Sequence, residues 1–205
     1  MTIADEYIQG LKQAYIDNDA RDYWEHFERI IHGASIEGIS LLKKKYPQLP
    51  PSLVSLLEFV DGTDRQNYQD TDVSFIFLGS KLGDYPYYLQ SAQQILESKD
   101  IDLLEDYINR TLEPEWGIYI DDKIINDFSQ VNWLHFSDCI NNGGSSKLYI
   151  DFSPSPKGKF GQVVMYVHDP DKLTVIADSF DDYLRLLISR GYEFIDEDIS
   201  DNYDF

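Results

Sequence analysis

The chain has 205 residues, 42% apolar and 26% charged, enough to bury about 70% of its unfolded surface and too aromatic for intrinsic disorder. Seventeen Lys and Arg against thirty-seven Asp and Glu give a net charge of −20. That balance repels phosphate backbones and anionic lipid, so it sets aside nucleic acid and membranes and favours a basic partner. The single cysteine, Cys139, excludes an internal disulfide. The opening MTIADEYIQG has no signal-peptide pattern and no apolar run reaches membrane length, so a cytoplasmic location is expected.

Residues 1–32 read as two amphipathic helices, with Ile3, Tyr7, Leu11 and Ala14 on one face and Tyr23, Trp24, Phe27, Ile30 and Ile31 on the other. Asp17-Asn18-Asp19 breaks between them and offers a cap for the second. Gly33 closes that segment. A third helix is expected after Ser35, burying Ile36, Ile39 and Leu42, and a fourth within LPPSLVSLLEFVDG, with Pro51 in its first turn and Gly62 past its end. The alternation of Val73, Phe75 and Phe77 then predicts a short strand. Ala92–Ile108 is expected to be helical; WGIYID, VNWLHF and KLTVIA read as strands. The last helix starts at Asp178 or Ser179, carries Asp181 and Asp182 in its first turn, buries Phe180, Tyr183, Leu184 and Leu187, and ends at Arg190-Gly191. The tail 191–205 has six acids and no base.

The stretch NNGGSSKLYIDFSPSPKGKFGQVVMYVHD (141–169) tests for an anion-binding loop. Such a loop needs glycines between a strand and a helix. Here Gly143-Gly144 is followed by strand-period alternation through Leu148, Ile150 and Phe152, and no Gly-Lys-Ser/Thr is present. Pro154 and Pro156 lead the chain out of the sheet and QVVMYVH returns it. The segment therefore reads as a β-hairpin with a long loop, which Asp151 holds through backbone N–H groups.

Catalytic signatures are missing. Cys139 follows His135 by four residues on a strand-to-turn segment, a spacing that does not bring the side chains together. His26, His32, His135 and His168 are scattered without a zinc pattern. DGTDRQNYQDTD (61–72) lacks the spacing of a calcium loop, and there is no dinucleotide fingerprint or nucleophile elbow, so no metal, cofactor or catalytic residue is assigned. The one region joining acids to aromatics holds Asp61, Asp64, Asp70, Asp72 and Asp84 with Tyr68, Tyr85, Tyr87 and Tyr88, suitable material for a basic protein partner, or for packing over a sheet edge.

Helices first, a strand-rich centre and a closing helix indicate an α+β class. Four segments in order carry a resemblance: LPPSLVSLLEFVDG, NWLHF, NNGGSSKLYIDFSPSPKGKFGQVV and VIADSFDDYLRLL. Together they resemble the SUKH superfamily, which includes the fungal cell-wall-assembly regulators of the Smi/Knr type. The resemblance implies a central, mostly antiparallel twisted sheet flanked by helices. It also implies one domain with a core at about 35–190, a helical addition at 1–32 and the acidic tail at 191–205. For a bacterial member it implies an immunity protein that binds a cognate toxin domain of a polymorphic or contact-dependent system, without catalytic machinery. The alternative is a regulatory protein-interaction module, with an unrecognised enzyme as a third reading.

Overall fold

Thr2 begins the first helix with a reciprocal pair of bonds. Its hydroxyl accepts from the Asp5 N–H at 3.2 Å and the Asp5 carboxylate accepts from the Thr2 N–H at 2.8 Å. The helix α1 (Ile3–Asp17) buries Ala4, Tyr7, Leu11, Ala14 and Tyr15. Asp17-Asn18-Asp19 does not cap the next helix as its composition suggested: α2 (Arg21–Ile30) starts from Ala20 with no side-chain cap. Asn18 instead donates to the Ala14 carbonyl at 2.9 Å, and Asp19 turns the chain at φ 57. The short side chain thus closes the old helix rather than opening the new one.

Ser35 caps α3 (Ile36–Lys45) by accepting from the Gly38 N–H at 3.0 Å, and Ile39 and Leu42 are buried as expected. Ile36 is not: it is 92% exposed. At 100° per residue it stands about 90° round from the centre of the Ile39–Leu42 face. Pro51 opens α4 (Pro51–Phe59) at a position where its missing N–H costs nothing.

The computed structural model describes residues 1–80, 83–99, 104, 118–139, 146–168 and 171–196; the side chains of Asp84, Tyr85 and Phe128 lie outside the description. Nine strands are described: β1 (Gln66–Tyr68), β2 (Thr71–Val73), β3 (Leu78–Ser80), β4 (Gly83–Leu89), β5 (Tyr119–Ile120), β6 (Trp133–Cys139), β7 (Lys147–Asp151), β8 (Gln162–Val167) and β9 (Lys172–Ala177). β1 and β2 form a separate hairpin, and the other seven make one sheet in the order β3-β4-β6-β7-β8-β9-β5. All its neighbours are antiparallel except β5 and β9. Two α-helices, α5 (Ala92–Glu97) and α6 (Phe180–Ser189), and a short 3-10 turn at Phe128–Gln130 complete the described elements. The chain is α+β.

The β7–β8 hairpin forms as expected, with Asp151 opposite Gln162. Asp151 is fully buried and holds the loop from inside: its carboxylate accepts from the Ser153 N–H at 2.7 Å and the Gln162 amide at 2.8 Å. The two-residue alternation inward and outward is less clean, because Leu148, Tyr149, Ile150 and Asp151 are all buried. Both faces of the sheet are covered. Leu148, Ile150, Val163 and Met165 join the main core under the helices; Trp133, Tyr149, Val164, Tyr166, Leu173 and Val175 form a second cluster on the other face, reached by Ile118, Ile120, Ile124 and Val131.

The strand expected at Val73–Phe77 is the chief correction. β2 ends at Val73 and β3 begins at Leu78; residues 74–77 between them belong to no strand, although the Phe75 and Phe77 N–H groups donate to the Thr63 and Tyr87 carbonyls at 2.9 and 3.1 Å. Tyrosines take the place of a neighbouring strand. Tyr7 Oη donates to the Phe77 carbonyl at 2.7 Å, Tyr15 to Ile76 at 2.7 Å, Tyr23 to Ser74 at 3.4 Å, and Tyr183 from α6 to Gly79 at 2.6 Å. The carbonyls are satisfied by side chains, so no ladder is needed. Phe75 stacks on Phe27 at 3.7 Å and on Tyr15 and Tyr23 at 4.8 Å, so α1 and α2 share the main core with the sheet.

Two expectations are only partly within view. The helix predicted over 92–108 ends at Glu97, where Ser98 turns out at ψ 126; beyond Lys99 only Leu104 is described. Of WGIYID, Tyr119 and Ile120 pair with β9, and Trp116-Gly117 lies outside the described residues, as do 141–145 and the tail from 197. α6 follows its sequence closely: Ser179 caps it by accepting from the Asp182 N–H, and Gly191 follows the Arg190 cap at φ 66.

Candidate functional site

The acidic and aromatic residues singled out by sequence divide into two groups once placed. Tyr68 and Tyr87 are core residues, not contact surface. Tyr68 is 2% exposed, donates to the Gly62 carbonyl at 2.8 Å and meets the His32 ring edge-on at 4.9 Å. Burial pushes its phenol well up, and the nearby Asp61 adds to it. Tyr87 is fully buried and shares a 2.5 Å hydrogen bond with Ser146. Tyr68 ends β1 on the side of that hairpin turned to the body, and Tyr87 lies on β4 within the main sheet, so both rings point inward. Asp61 is also occupied: its carboxylate accepts from the Ala92 N–H at 2.8 Å, at the first residue of α5.

Asp70 and Asp72 are exposed on the β1–β2 hairpin. Gln69 and Asp70 form its two-residue turn, both at positive φ, 51 and 64, the geometry that matches the twist of a tight hairpin. Gln69 anchors the turn to the body by donating to the Ile30 carbonyl at 3.0 Å. Asp72 accepts from its cross-strand neighbour Asn67 at 2.8 Å. Tyr88 is half-buried on β4. Asp84 and Tyr85 lie on the same strand, with side chains outside the description.

Asp64 belongs to a different constellation, one that the sequence did not reveal. The Gln90 amide donates to Asp64 Oδ2 at 3.1 Å and to Asp138 Oδ2 at 2.5 Å, so two carboxylates from separate elements converge on one nitrogen. Asp138 in turn lies 3.3 Å from His135 Nε2 and 3.8 Å from Lys147 Nζ. His135 is buried and its other nitrogen meets the Ser98 hydroxyl at 3.3 Å. Gln90, Ser98, His135, Asp138 and Lys147 border a shallow open cleft of about 360 Å³, with Gln94, Glu97 and Lys99 on its rim. Burial pushes the Asp64 carboxyl up; the Gln90 bond opposes this, Asp138 reinforces it, and Arg65 and His135 oppose it more weakly. The register that places Asp138 opposite Lys147 is what assembles the cleft; no local pattern signals it.

The cleft carries both signs of charge: Lys147 lies beside Asp138, and Glu97 and Lys99 line it as well. Cys139 is buried at 3% exposure, while the His135 nitrogens are directed at Ser98, Ser137 and Asp138. Among the described residues, no group of three or more His, Cys, Asp or Glu is placed to hold a metal ion. Nor, among them, is any helix long and apolar enough to cross a membrane.

Comparison with known proteins supplies the kinship. Over 65 residues the chain is 32% identical to the "Glucan synthesis regulatory protein" of Neurospora crassa, covering 30% of this chain and 12% of that protein. Over 182 residues it is 22% identical to the "Cell wall biosynthesis/cell cycle regulator smi1" of Schizosaccharomyces pombe, covering 86% of this chain and 35% of that one. The matched part is thus at most about a third of either relative. The model of the SMI1 / KNR4 family (SUKH-1) matches residues 33–186, from just after α2 to the last turns of α6. The chain belongs to the SMI1 / KNR4 family (SUKH-1).

Proposed function

We propose that the chain is a non-enzymatic protein-binding module that captures a basic partner on its acidic rim, and that it acts as an immunity protein neutralising a toxin domain. The observation that carries this reading is the convergence of Asp64 and Asp138 on Gln90, beside an open cleft that Gln90 and Asp138 line, on a chain of net charge −20. A lysine or arginine from a partner would add to two carboxylates that share the Gln90 amide and have Arg65, His135 and Lys147 at 3.3–3.9 Å. The surrounding charge would raise the association rate by about 10–10³-fold at low salt, which suits an inhibitor that must act before damage is done.

A second reading has its own support. The two curated relatives carry names of regulators, of glucan synthesis and of cell-wall biosynthesis and the cell cycle. Under that reading the same rim binds an endogenous enzyme or scaffold. Affinity purification of the tagged protein from its own cells, at low salt and at about 0.3 M, separates the two. A polypeptide with a basic terminal domain that arrests growth when expressed alone supports immunity; a wall-synthesis enzyme or scaffold supports regulation. Asp70→Lys with Asp72→Lys, and separately Asp64→Asn with Asp138→Asn, should weaken capture without unfolding the chain. Undiminished capture by both double variants removes the acidic rim from the interface.

A further inference from the structure

A second surface differs from the acidic rim in charge and in texture. Between α3 and the end of α4 lies a groove of about 330 Å³ lined by Ala34, Ile36, Ile39, Ser40, Lys43 and Glu58. Its depth comes from close backbone approach: the Ala34 N–H donates to the Leu57 carbonyl at 2.7 Å, and Gly33 lies against the Glu58 backbone where a Cβ would collide. Ile36, 92% exposed, stands on its edge although it contributes nothing to the core. Leu41 on the same helix is 46% exposed. The helix then ends in Lys43-Lys44-Lys45, all exposed, in a chain where acids outnumber bases by more than two to one.

Each feature alone has a plain explanation. Single exposed apolar side chains are ordinary, and cations at a helix C-terminus are favoured by its dipole. The dipole does not explain an apolar cleft immediately beside the cations. Lys45 is turned aside, donating to the Leu96 carbonyl at 2.9 Å and lying over the Tyr46 ring. Among the described residues Lys43 and Lys44 have no ion-pair partner, and Glu58 is the one acid among the lining residues.

We propose that this groove is a docking site for an acidic segment of a partner protein bearing one apolar anchor residue, the anchor seated against Ile36 and Ile39 and its flanking carboxylates meeting Lys43 and Lys44. Charge complementarity selects that occupant. The chain's net charge of −20 repels an acidic segment from most of the remaining surface, so recognition is local and the basic partner of the rim has no reason to enter here. The chain then joins an acidic and a basic partner through separate faces.

The test is a peptide array of acidic twelve-residue segments, each with one Leu, Ile, Phe or Trp among Asp and Glu, followed by fluorescence anisotropy on the best binder with the full chain. Ile36→Ser should weaken binding about tenfold through lost apolar contact. Lys43→Glu with Lys44→Glu should weaken it at least about fivefold at low salt and less at 0.5 M. Both variants alter exposed positions, and unchanged urea midpoints will show that they fold. The array failing to bind, the same affinity for a charge-reversed peptide, or full binding by either variant overturns the proposal. So does a change of oligomeric state in Ile36→Ser by sedimentation, which would make a second copy the occupant. Because the rim variants at Asp64 and Asp138 leave this groove intact, they should bind the peptide normally whether or not the immunity reading survives.

Discussion

Removing a single hydroxyl from α1 should cost as much as removing a methylene group or two from the core. Tyr7 and Tyr15 each donate at 2.7 Å to the carbonyls of Phe77 and Ile76, in a segment assigned to no strand. Tyr→Phe keeps the ring and its packing, so no cavity opens and the loss is that of a buried acceptor left without a donor. That amounts to about 1–3 kcal/mol for each. Tyr23 reaches Ser74 at 3.4 Å, near the limit of a hydrogen bond, so Tyr23→Phe should cost less than about 0.5 kcal/mol. The two strong acceptors are adjacent, so the double variant should fall short of additivity, with a total loss of about 2–5 kcal/mol. Urea unfolding followed by tryptophan fluorescence suits the test, because Trp24 sits 5.5 Å from the Tyr15 ring. The midpoint should move while the slope stays fixed. Losses below about 0.5 kcal/mol for both Tyr7→Phe and Tyr15→Phe, or an equal loss at Tyr23, would refute the claim that tyrosines stand in for a strand.

The same contacts predict that deleting residues 1–32 leaves an insoluble chain, since Phe75 and Phe77 lose their cover along with the carbonyl donors; a folded, dispersed fragment by gel filtration and circular dichroism would contradict this. Gly62→Ala should lose at least about 2 kcal/mol, from strain at φ 85 together with contact at 2.5 Å with the Ser91 backbone nitrogen. Measured by urea titration, a neutral Gly62→Ala would mean that the turn relaxes freely. Burial holds the Asp64 carboxyl above its ordinary value. The folded state therefore binds the proton more tightly, so its contribution makes stability fall as pH rises through that interval. Asp64→Asn should be more stable than the parent at pH 7 and lose that advantage below pH 4, as followed by thermal melting across pH. At the alkaline end Tyr7 and Tyr183 are held well above 10 by burial, and Tyr192 is raised to about 12. The unfolded state releases these protons first, so stability should fall as pH rises above 10, with phenolate absorbance appearing together with unfolding. Smooth titration of all the phenols before the fold is lost would contradict their placement.

Sequence patterns were most reliable where structure is decided locally. The closing helix carries its own cap at Ser179, acids in its first turn and a glycine after its end, and all three act as read. The β7–β8 hairpin is marked by its prolines and by Asp151. The segment at 74–77 is not a strand although it alternates like one, because alternation of apolar residues describes any extended buried chain, and the hydroxyls that satisfy its carbonyls lie 51 to 70 residues away. Ile36 was assigned to the core on spacing alone, although its helix turns it outward. Among the site residues, Tyr68 and Tyr87 share composition with a contact loop but lie inside. Asp138, which meets Asp64 at the Gln90 amide, is not legible in the sequence because Gln90 follows β4 and Lys147 opens β7, while His135 on its own strand carries no signal by itself.

A sheet sealed on both faces has no broad surface left for recognition. Leu148 and Tyr149, neighbours in sequence on opposite faces, are each fully enclosed. Every partner must therefore be met at the perimeter, by hairpin tips, helix ends and the clefts between them. The interior can then stay constant while the perimeter changes, and exchange of the β1–β2 hairpin or of the α3 rim between relatives becomes a route to new specificity that leaves the folding problem untouched.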